Sequence, residues 1–347
     1  MNKPGKIYLA GHTGLVGSAL MRRLKDGGYS NIVTRNLQEL NLTRQGEVEA
    51  FFQKEKPDYV FLAAAKVGGI YANNAYKADF IYQNMMIAAN VIHTSYKYGV
   101  KKLLNLGSSC IYPRDAAQPL KEEYLLTGPL ENTNDAYAIA KIAAIKLCRH
   151  YNEQYGTNFI SVMPTNLYGP GDNFDFENSH VLPALVRRIY LGKLLMDGNF
   201  DAIRRNLDLY GRTDVFSKAA ESEICTELEK HGIYKDKVVV WGSGKPYREF
   251  MYSDDLADAC VFLMENHEAK DTGEIINIGT GKDLTIKELA ELIRKIVDYR
   301  GELAFDASKP DGTPRKLLDV SRLHALGWKE KTGLEAGIGR VMREIGT

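Results

Sequence analysis

Cysteine is scarce in this 347-residue chain, which holds only Cys110, Cys148, Cys225 and Cys260. None is spaced Cys-x-x-Cys and none has histidines at zinc spacing, which argues against a metal site. No apolar run approaches the roughly 18 residues of a membrane span. The N-terminus, with Lys3 and Lys6 ahead of a short strand, lacks the apolar stretch of a secretory leader. An excess of either charge is missing too: 45 basic side chains face 44 acidic ones, for a formal net charge of +1. There is no basic stripe, so a nucleic-acid partner is not expected. The pairs Arg187-Arg188 and Arg204-Arg205 read as surface or ligand contacts. Repeats and low-complexity tracts are lacking as well. The expectation is a cytoplasmic protein with reduced thiols and neither a membrane nor a nucleic-acid partner.

What the chain does have is alternation. Strand patterns at Ile7–Ala10, Asn31–Thr34, Tyr59–Ala63, Leu103–Leu106 and Phe159–Val162 are separated by helical patterns at Leu15–Lys25, Arg44–Lys54, Ala78–Tyr98 and Tyr137–Gln154. Continuous apolar strands between helices predict a parallel sheet covered on both faces, the doubly wound α/β (Rossmann) class. After Pro170 the alternation loosens. His180–Leu191 reads as a helix and Asp201–Lys230 as charged and weakly helical. Strands are expected at Val238–Trp241 and Ile275–Ile278, and helices at Asp254–Glu265 and Ile286–Val297. The predicted organisation is a nucleotide-binding domain over residues 1–179 plus about 242–275. A smaller discontinuous α/β substrate-binding lobe then takes about 180–241 and 276–347.

The first strand runs into Gly11-His12-Thr13-Gly14-Leu15-Val16-Gly17, which opens the first helix. Gly11 allows the tight turn, Gly14 lets the backbone approach a pyrophosphate, and Gly17 permits close helix packing, with the helix N-terminus facing the phosphates. The second strand ends in Thr34-Arg35-Asn36-Leu37, with no acidic residue for a ribose 2′-hydroxyl. With Arg35 nearby, this favours NADP over NAD.

Tyr137 and Lys141 stand four apart on one helix face. A lysine ammonium beside the phenol is expected to lower its pKa, so that tyrosine passes a proton to or from an oxygen while a nicotinamide carries hydride. Ser108, at the end of the fourth strand, could hydrogen-bond the same oxygen. Cys110 follows two residues later, and His180 lies downstream as a further acid–base candidate. Tyr98 and Lys102 share the same spacing, but Gly99 intervenes and Lys102 opens a strand, so that pair is a decoy.

Several stretches together carry a resemblance: Ala63-Ala64-Ala65-Lys66-Val67-Gly68-Gly69-Ile70, Tyr82-Gln83-Asn84-Met85-Met86, Gly107 to Pro113, Pro164-Thr165-Asn166-Leu167-Tyr168-Gly169-Pro170, Trp241-Gly242-Ser243-Gly244, Arg248-Glu249-Phe250, and Asp306 through Asp319. The chain resembles the GDP-L-fucose synthase family of the extended short-chain dehydrogenase/reductases nearly end to end. The resemblance implies epimerisation of GDP-4-keto-6-deoxy-D-mannose at C3 and C5 and reduction at C4 with NADPH. It implies Cys110 as base, His180 as the acid on the opposite face, and Ser108, Tyr137 and Lys141 as the reductive triad. It further implies cofactor contacts along residues 11–17 and at Arg35, Ala64, Lys141, Pro164, Asn166, Leu167 and His180. Arg188, Trp241, Arg248 and Lys316 are implied near the GDP-sugar, and a homodimer through the helices at 78–98 and 137–154. An epimerase/reductase or C4 reductase on another GDP-4-keto-sugar, a deoxyheptose or colitose precursor, fits the same residues. Thr13 and Leu37 stand where family members often carry arginines. The segment from about Gly192 to Lys237 is longer than in compact members and is expected to be a flap over the sugar site or part of an oligomer contact.

Overall fold

The structure is a computed structural model and describes residues 1–309 and 311–346. Pro310, inside the Asp306–Asp319 stretch, and Thr347 lie outside the described residues, as do the side chains of Ile70 and Tyr71. In chain order the first elements are β1 (Ile7–Ala10), α1 (Leu15–Asp26), β2 (Ile32–Val33), α2 (Gln45–Glu55), β3 (Tyr59–Leu62), α3 (Ile70–Ala75), α4 (Lys77–Lys97), β4 (Lys102–Leu106), α5 (Asp135–Tyr155) and β5 (Phe159–Pro164). Then follow β6 (Asn166–Tyr168), α6 (Val181–Met196), α7 (Phe200–Gly211), α8 (Glu221–Lys230), β7 (Lys237–Trp241), β8 (Tyr247–Tyr252), α9 (Ser253–Asn266), α10 (Ala269–Thr272) and β9 (Ile276–Ile278). The last are β10 (Asp283–Thr285), α11 (Ile286–Val297), β11 (Glu302–Asp306), β12 (Arg315–Lys316), α12 (Ser321–Ala325) and α13 (Leu334–Ile345).

The chain divides into two compact units. The first comprises residues 1–167, 249–281 and 317–331, and its centre is a parallel six-stranded sheet in the order β2-β1-β3-β4-β5-β9. Side chains alternate across the pleat. Ile7, Leu9, Phe61, Leu104 and Ile160 pack with Leu20 and Leu24 of α1 and Leu256 and Leu263 of α9. Tyr8, Val60, Leu103 and Phe159 pack on the other face with Phe52 of α2, Val91 and Ile92 of α4 and Cys148 of α5. Both faces are therefore dry, which is why the strands read as unbroken apolar runs. The chain leaves β1 for β2 on one side and returns for β3 on the other. The carboxyl ends of β1 and β3 thus form a topological switch point, where doubly wound sheets bind ligands.

The second unit comprises residues 168–248, 282–316 and 332–347. In it β7 pairs with β11 in parallel, and Tyr247-Arg248 of β8 pair with Arg315-Lys316 of β12. Helix α6 is buried on nearly every side. Thr285 opens α11 with a reciprocal cap, its hydroxyl accepting from the Glu288 amide at 3.0 Å while the Glu288 carboxylate accepts from the Thr285 amide at 2.7 Å.

These boundaries correct the expected ones. Residues 168–179 group with the second unit, and 317–331 return to the first, because Leu318 and Leu323 fill the core of the sheet domain. The charged stretch after Gly192 is not weakly helical: α7 and α8 are regular, and bury Ile203, Leu207, Ile224 and Leu228.

Within the first unit, Glu249 is fully buried. One carboxylate oxygen accepts from the Thr280 and Gly281 amides at 2.5 and 2.8 Å, and the other from the Leu318 amide at 2.9 Å. Its backbone carbonyl accepts from the Asn166 amide side chain at 2.8 Å and the Thr165 hydroxyl at 3.3 Å. Glu249→Gln turns one acceptor oxygen into an N–H donor facing a backbone N–H. It should cost about 1–3 kcal/mol of stability, read as a lower unfolding midpoint in urea with an unchanged denaturant slope.

Candidate active site

The loop after β1 is built to bring backbone close to a ligand. Gly11 has φ +84°, and a Cβ there would lie 2.6 Å from the Ala64 amide nitrogen. A Cβ on Gly17 would lie 1.9 Å from the Gly11 carbonyl oxygen, so α1 can pack on the turn only as glycine. Gly14 differs. Its φ of −79° and ψ of 170° suit any residue, and a Cβ would make only an ordinary 3.7 Å contact. The bare backbone of Gly14 therefore serves no packing need in the protein, as expected of a residue lying against a pyrophosphate. Thr13 is exposed, and the buried Nδ1 of His12 has no partner. Arg35, past the end of β2, donates to the Thr34 carbonyl at 2.7 Å and pairs with Glu55 at 2.8 Å, while Leu37 is exposed. Ala64 follows β3 against the Gly11 turn, Pro164 ends β5, and Asn166 and Leu167 begin β6, the amide of Asn166 held by the Glu249 carbonyl.

Beyond β4 the chain makes a single 3₁₀ turn, Ser109–Ile111. Ser108 caps it, its hydroxyl accepting from the Cys110 amide at 3.4 Å. Cys110 is therefore held in a tight, buried turn directly after the sheet edge. Lys141, buried on α5, donates to the Leu106 carbonyl at 2.6 Å, and its ammonium lies 5.6 Å from the Tyr137 ring centre. Phe80 of α4 meets the Tyr137 ring edge-on at 6.5 Å. Serine, cysteine, tyrosine and lysine thus come together at the carboxyl end of β4. The charge balance corrects one expectation. Tyr137 is pushed up rather than down, by burial first and by negative charge on Cys110 second. Lys141 is pushed down to about 8 by burial, with Cys110 opposing. Taking the phenolate out of water and placing it near negative charge on Cys110 both disfavour ionisation, so Tyr137 is held as a proton donor.

Burial also raises Cys148, to about 12, and Cys260, and leaves both inert. The decoy lysine, Lys102, is buried and donates to the Leu263 and Met264 carbonyls at the end of α9.

The remaining candidates lie in the second unit. His180 precedes α6, and its solvent-accessible imidazole is held below its ordinary pKa by partial desolvation and then by the Lys316 ammonium. Arg188 is buried on α6. Its Nη2 donates to the Phe176 carbonyl at 3.4 Å, its guanidinium faces Trp241 at 5.3 Å, and its Nε has no protein partner. A buried guanidinium N–H without an acceptor is costly unless a ligand supplies one. Trp241 is 61% exposed, unusual for so large an apolar surface. Arg248 donates to the Tyr247 and Thr313 carbonyls at 2.7 and 2.6 Å, and Lys316 is its register partner across the β8–β12 pair. Among the described residues no cluster of His, Cys, Asp or Glu could hold a metal, and no helix is long and apolar enough to cross a membrane.

Sequence reasoning missed Arg187. Grouped with surface or ligand contacts, it is 2% exposed. Its signal was the apolar pattern of α6 on every side, which makes the helix internal and leaves its arginines nowhere to go but inward.

A glycine turn at the switch point of a parallel sheet, with a Ser/Tyr/Lys set at a neighbouring strand end, defines a nicotinamide-dependent oxidoreductase of the Rossmann type. The sequence profile of the NAD dependent epimerase/dehydratase family matches residues 7–207 and 202–279, and the chain belongs to that family, among its extended short-chain dehydrogenase/reductases. It is 52% identical to GDP-L-fucose synthase 1 of Arabidopsis thaliana over 339 residues, covering 98% of this chain and 92% of that one. It is 51% identical to GDP-L-fucose synthase of Escherichia coli K12, covering 96% and 94%. A solved GDP-mannoheptose C4 reductase from Campylobacter jejuni with NADP bound superposes with a TM-score of 0.90 at 45% identity, covering 100% of both chains.

Gly14 and Gly17 separate cofactor binding from folding. Gly14→Ala should fold with an unchanged melting temperature and lose about tenfold or more in dinucleotide affinity, measured by fluorescence titration. Gly17→Ala should lose about 1–3 kcal/mol of stability by overpacking.

Proposed function

We propose that this chain is a GDP-4-keto-6-deoxy-D-mannose 3,5-epimerase/4-reductase that forms GDP-L-fucose with NADPH. The observation that carries the reading is Cys110, an acid–base residue locked into the turn that also presents Ser108, beside Tyr137 and Lys141. A plain reductase needs the last three and has no use for the thiol. The near-50% identity to GDP-L-fucose synthases from plants and bacteria over nearly the whole chain supports it.

Protons at C3 and C5 are acidic because the C4 carbonyl takes up the charge as an enolate. Ser108 and Tyr137 hydrogen-bond that oxygen. At each carbon in turn the Cys110 thiolate removes the proton and His180 delivers one to the opposite face, giving inversion, and between the two rounds Cys110 releases its proton to solvent and His180 takes one up. NADPH, held at the turn of residues 11–17, would supply the hydride to C4. Tyr137 gives its proton to the C4 oxygen as that oxygen gains charge, and the Lys141 ammonium steadies the phenolate left behind. Arg188 and Arg248 bind the diphosphate, Trp241 and Lys316 the rest of the GDP-sugar. The first unit holds the cofactor and the second the sugar nucleotide. Arg35 faces the 2′-phosphate in place of the arginines absent at 13 and 37. The enzyme works in the cytoplasm as a homodimer, through the face of α4 and α5 that exposes Tyr82, Met85 and Ile139.

A C4 reductase acting on a GDP-4-keto-heptose is the second reading, favoured by the end-to-end match to the C. jejuni reductase. Turnover of GDP-4-keto-6-deoxy-mannose in heavy water separates the two. GDP-L-fucose with deuterium at C3 and C5 is expected, and Cys110→Ser should lower that incorporation by about 10²-fold or more while the enzyme still binds NADPH. Reduction at C4 without deuterium would sink the epimerase assignment. The NADPH/NADH rate ratio, before and after Arg35→Ala, tests the cofactor preference.

Lys141 sets the alkaline limit. Its ammonium form persists below a pKa of about 8 and is lost above it. kcat/KM for reduction should therefore fall as pH rises through about 8, and Lys141→Arg should abolish that fall at a lower overall rate.

A further inference from the structure

The loop from Gly169 to Ser179 leads directly into His180 and α6. Asp175 folds it locally, its carboxylate accepting from the Glu177 and Asn178 amides at 3.0 and 2.9 Å. These bonds shape the loop but do not fix where it lies. Its place is set by the Gly171 amide donating to the Glu344 carboxylate at 2.9 Å, by Phe174 packed on Tyr210 of α7 at 5.1 Å, and by Phe176. The Arg187 guanidinium lies over one contact surface of its ring at 3.9 Å, and the His231 imidazole stacks on it at 3.9 Å, only 14° from parallel. His231 is the residue at which α8 ends, and its Nε2 is 3.3 Å from the Glu227 carboxylate. Arg187 is held in turn by α7: its Nε donates to the Asn206 side chain at 2.9 Å, and its Nη2 to the Asn206 carbonyl at 3.3 Å. Its Nη1 donates to the Phe174 carbonyl at 2.9 Å. The carbonyl of Phe176 accepts from Arg188.

We propose that α7 and α8 form a clamp on the loop preceding His180, with Arg187 and His231 as positioning residues for His180 and Arg188. The inference rests on the reading of Arg188 as a diphosphate contact and of His180 as an acid. The chemistry suits a clamp. Arg187 fills its donors with fixed acceptors, so it has little left for a ligand. It is planar, and can lie on an aromatic ring while bonding in its own plane. Neutral imidazole completes the stack, since a second cation on Phe176 would face Arg187 and Arg188 together. Positional errors of about 1 Å in a binding or proton-transferring group cost about 10²-fold in rate, so a remote stack can govern both affinity and proton return.

His231→Ala opens one side of the clamp at a partly exposed position, and His231→Phe keeps the stack while losing the Glu227 contact. GDP affinity by calorimetry reads Arg188. Solvent-deuterium incorporation at C3 and C5 reads His180. NADPH affinity and melting temperature report on the rest of the protein. His231→Ala is expected to weaken GDP binding about tenfold and slow deuterium incorporation about tenfold or more, with NADPH affinity unchanged. His231→Phe should restore both to within about threefold of wild type. A folded His231→Ala that binds GDP and exchanges deuterium like wild type overturns the clamp, as does a folded His231→Phe no better than His231→Ala. Wild-type protein that binds GDP but makes no GDP-L-fucose overturns the enzymatic reading alone, and GDP affinity then decides the clamp.

Discussion

The buried carboxylate of Glu249 is the constraint on which the rest depends. The chain leaves the first unit after Leu167 and Gly281 and re-enters it at Glu249 and Leu317. Glu249 bonds residues beside every one of these crossings: Thr165 and Asn166, Thr280 and Gly281, and Leu318. A domain assembled from three separated segments faces a large loop-closure entropy. An apolar contact could bury the same surface but could not set the direction of three strand exits. Three amides converging on one carboxylate can, because hydrogen bonds fix angle as well as distance. Burial raises the pKa of Glu249 and the three amides lower it, and burial is the larger effect. The carboxylate is retained for position, not as a store of electrostatic stability.

The same exchange of solvation for geometry recurs on α6. Arg187 and Arg188 are adjacent, both buried, and both held below their ordinary pKa by desolvation, Arg187 to about 10. Their hydrogen bonding separates them. Arg187 has a bond from each nitrogen, to Asn206 and Phe174, and lies over Phe176. Arg188 keeps an unfilled Nε beside an exposed indole. An arginine with every nitrogen bonded is architecture, and the unfilled nitrogen of the one beside it is what supports the anion contact we propose for Arg188.

Much of this was legible in the sequence for physical reasons. Strands buried on both faces read as apolar runs, so β1, β3, β4 and β5 stood out, and the glycine turn was marked by its spacing. Elements that draw stability from neighbours did not: β8, β10, β11 and β12 carry Arg, Lys, Glu and Asp, which break the apolar run that marks a buried strand. Domain limits failed at 168–179 and 317–331 because contacts between distant segments decide them. Tyr137 and Lys141 were found by spacing, yet the direction of the tyrosine shift was not, since spacing reports proximity and says nothing of desolvation. The stack on Phe176 joins three distant positions and leaves no local pattern.

The electrostatics of the first-unit site also bear on the order of events in the proposed reaction. Negative charge on Cys110 raises the pKa of both Tyr137 and Lys141. While the thiolate awaits a substrate proton, Tyr137 therefore holds its own proton more tightly and Lys141 stays charged. Once Cys110 has taken a proton from carbon, that anion is gone and the phenol becomes the stronger acid. In the proposed reaction, loss of that charge eases donation by Tyr137 and lowers the Lys141 pKa together. A site with a neutral residue at position 110 would have no such coupling, and its tyrosine would protonate the C4 oxygen with equal ease before and after any epimerisation. Placing the thiol in the serine's own turn brings the two chemistries close enough for one charge to govern both.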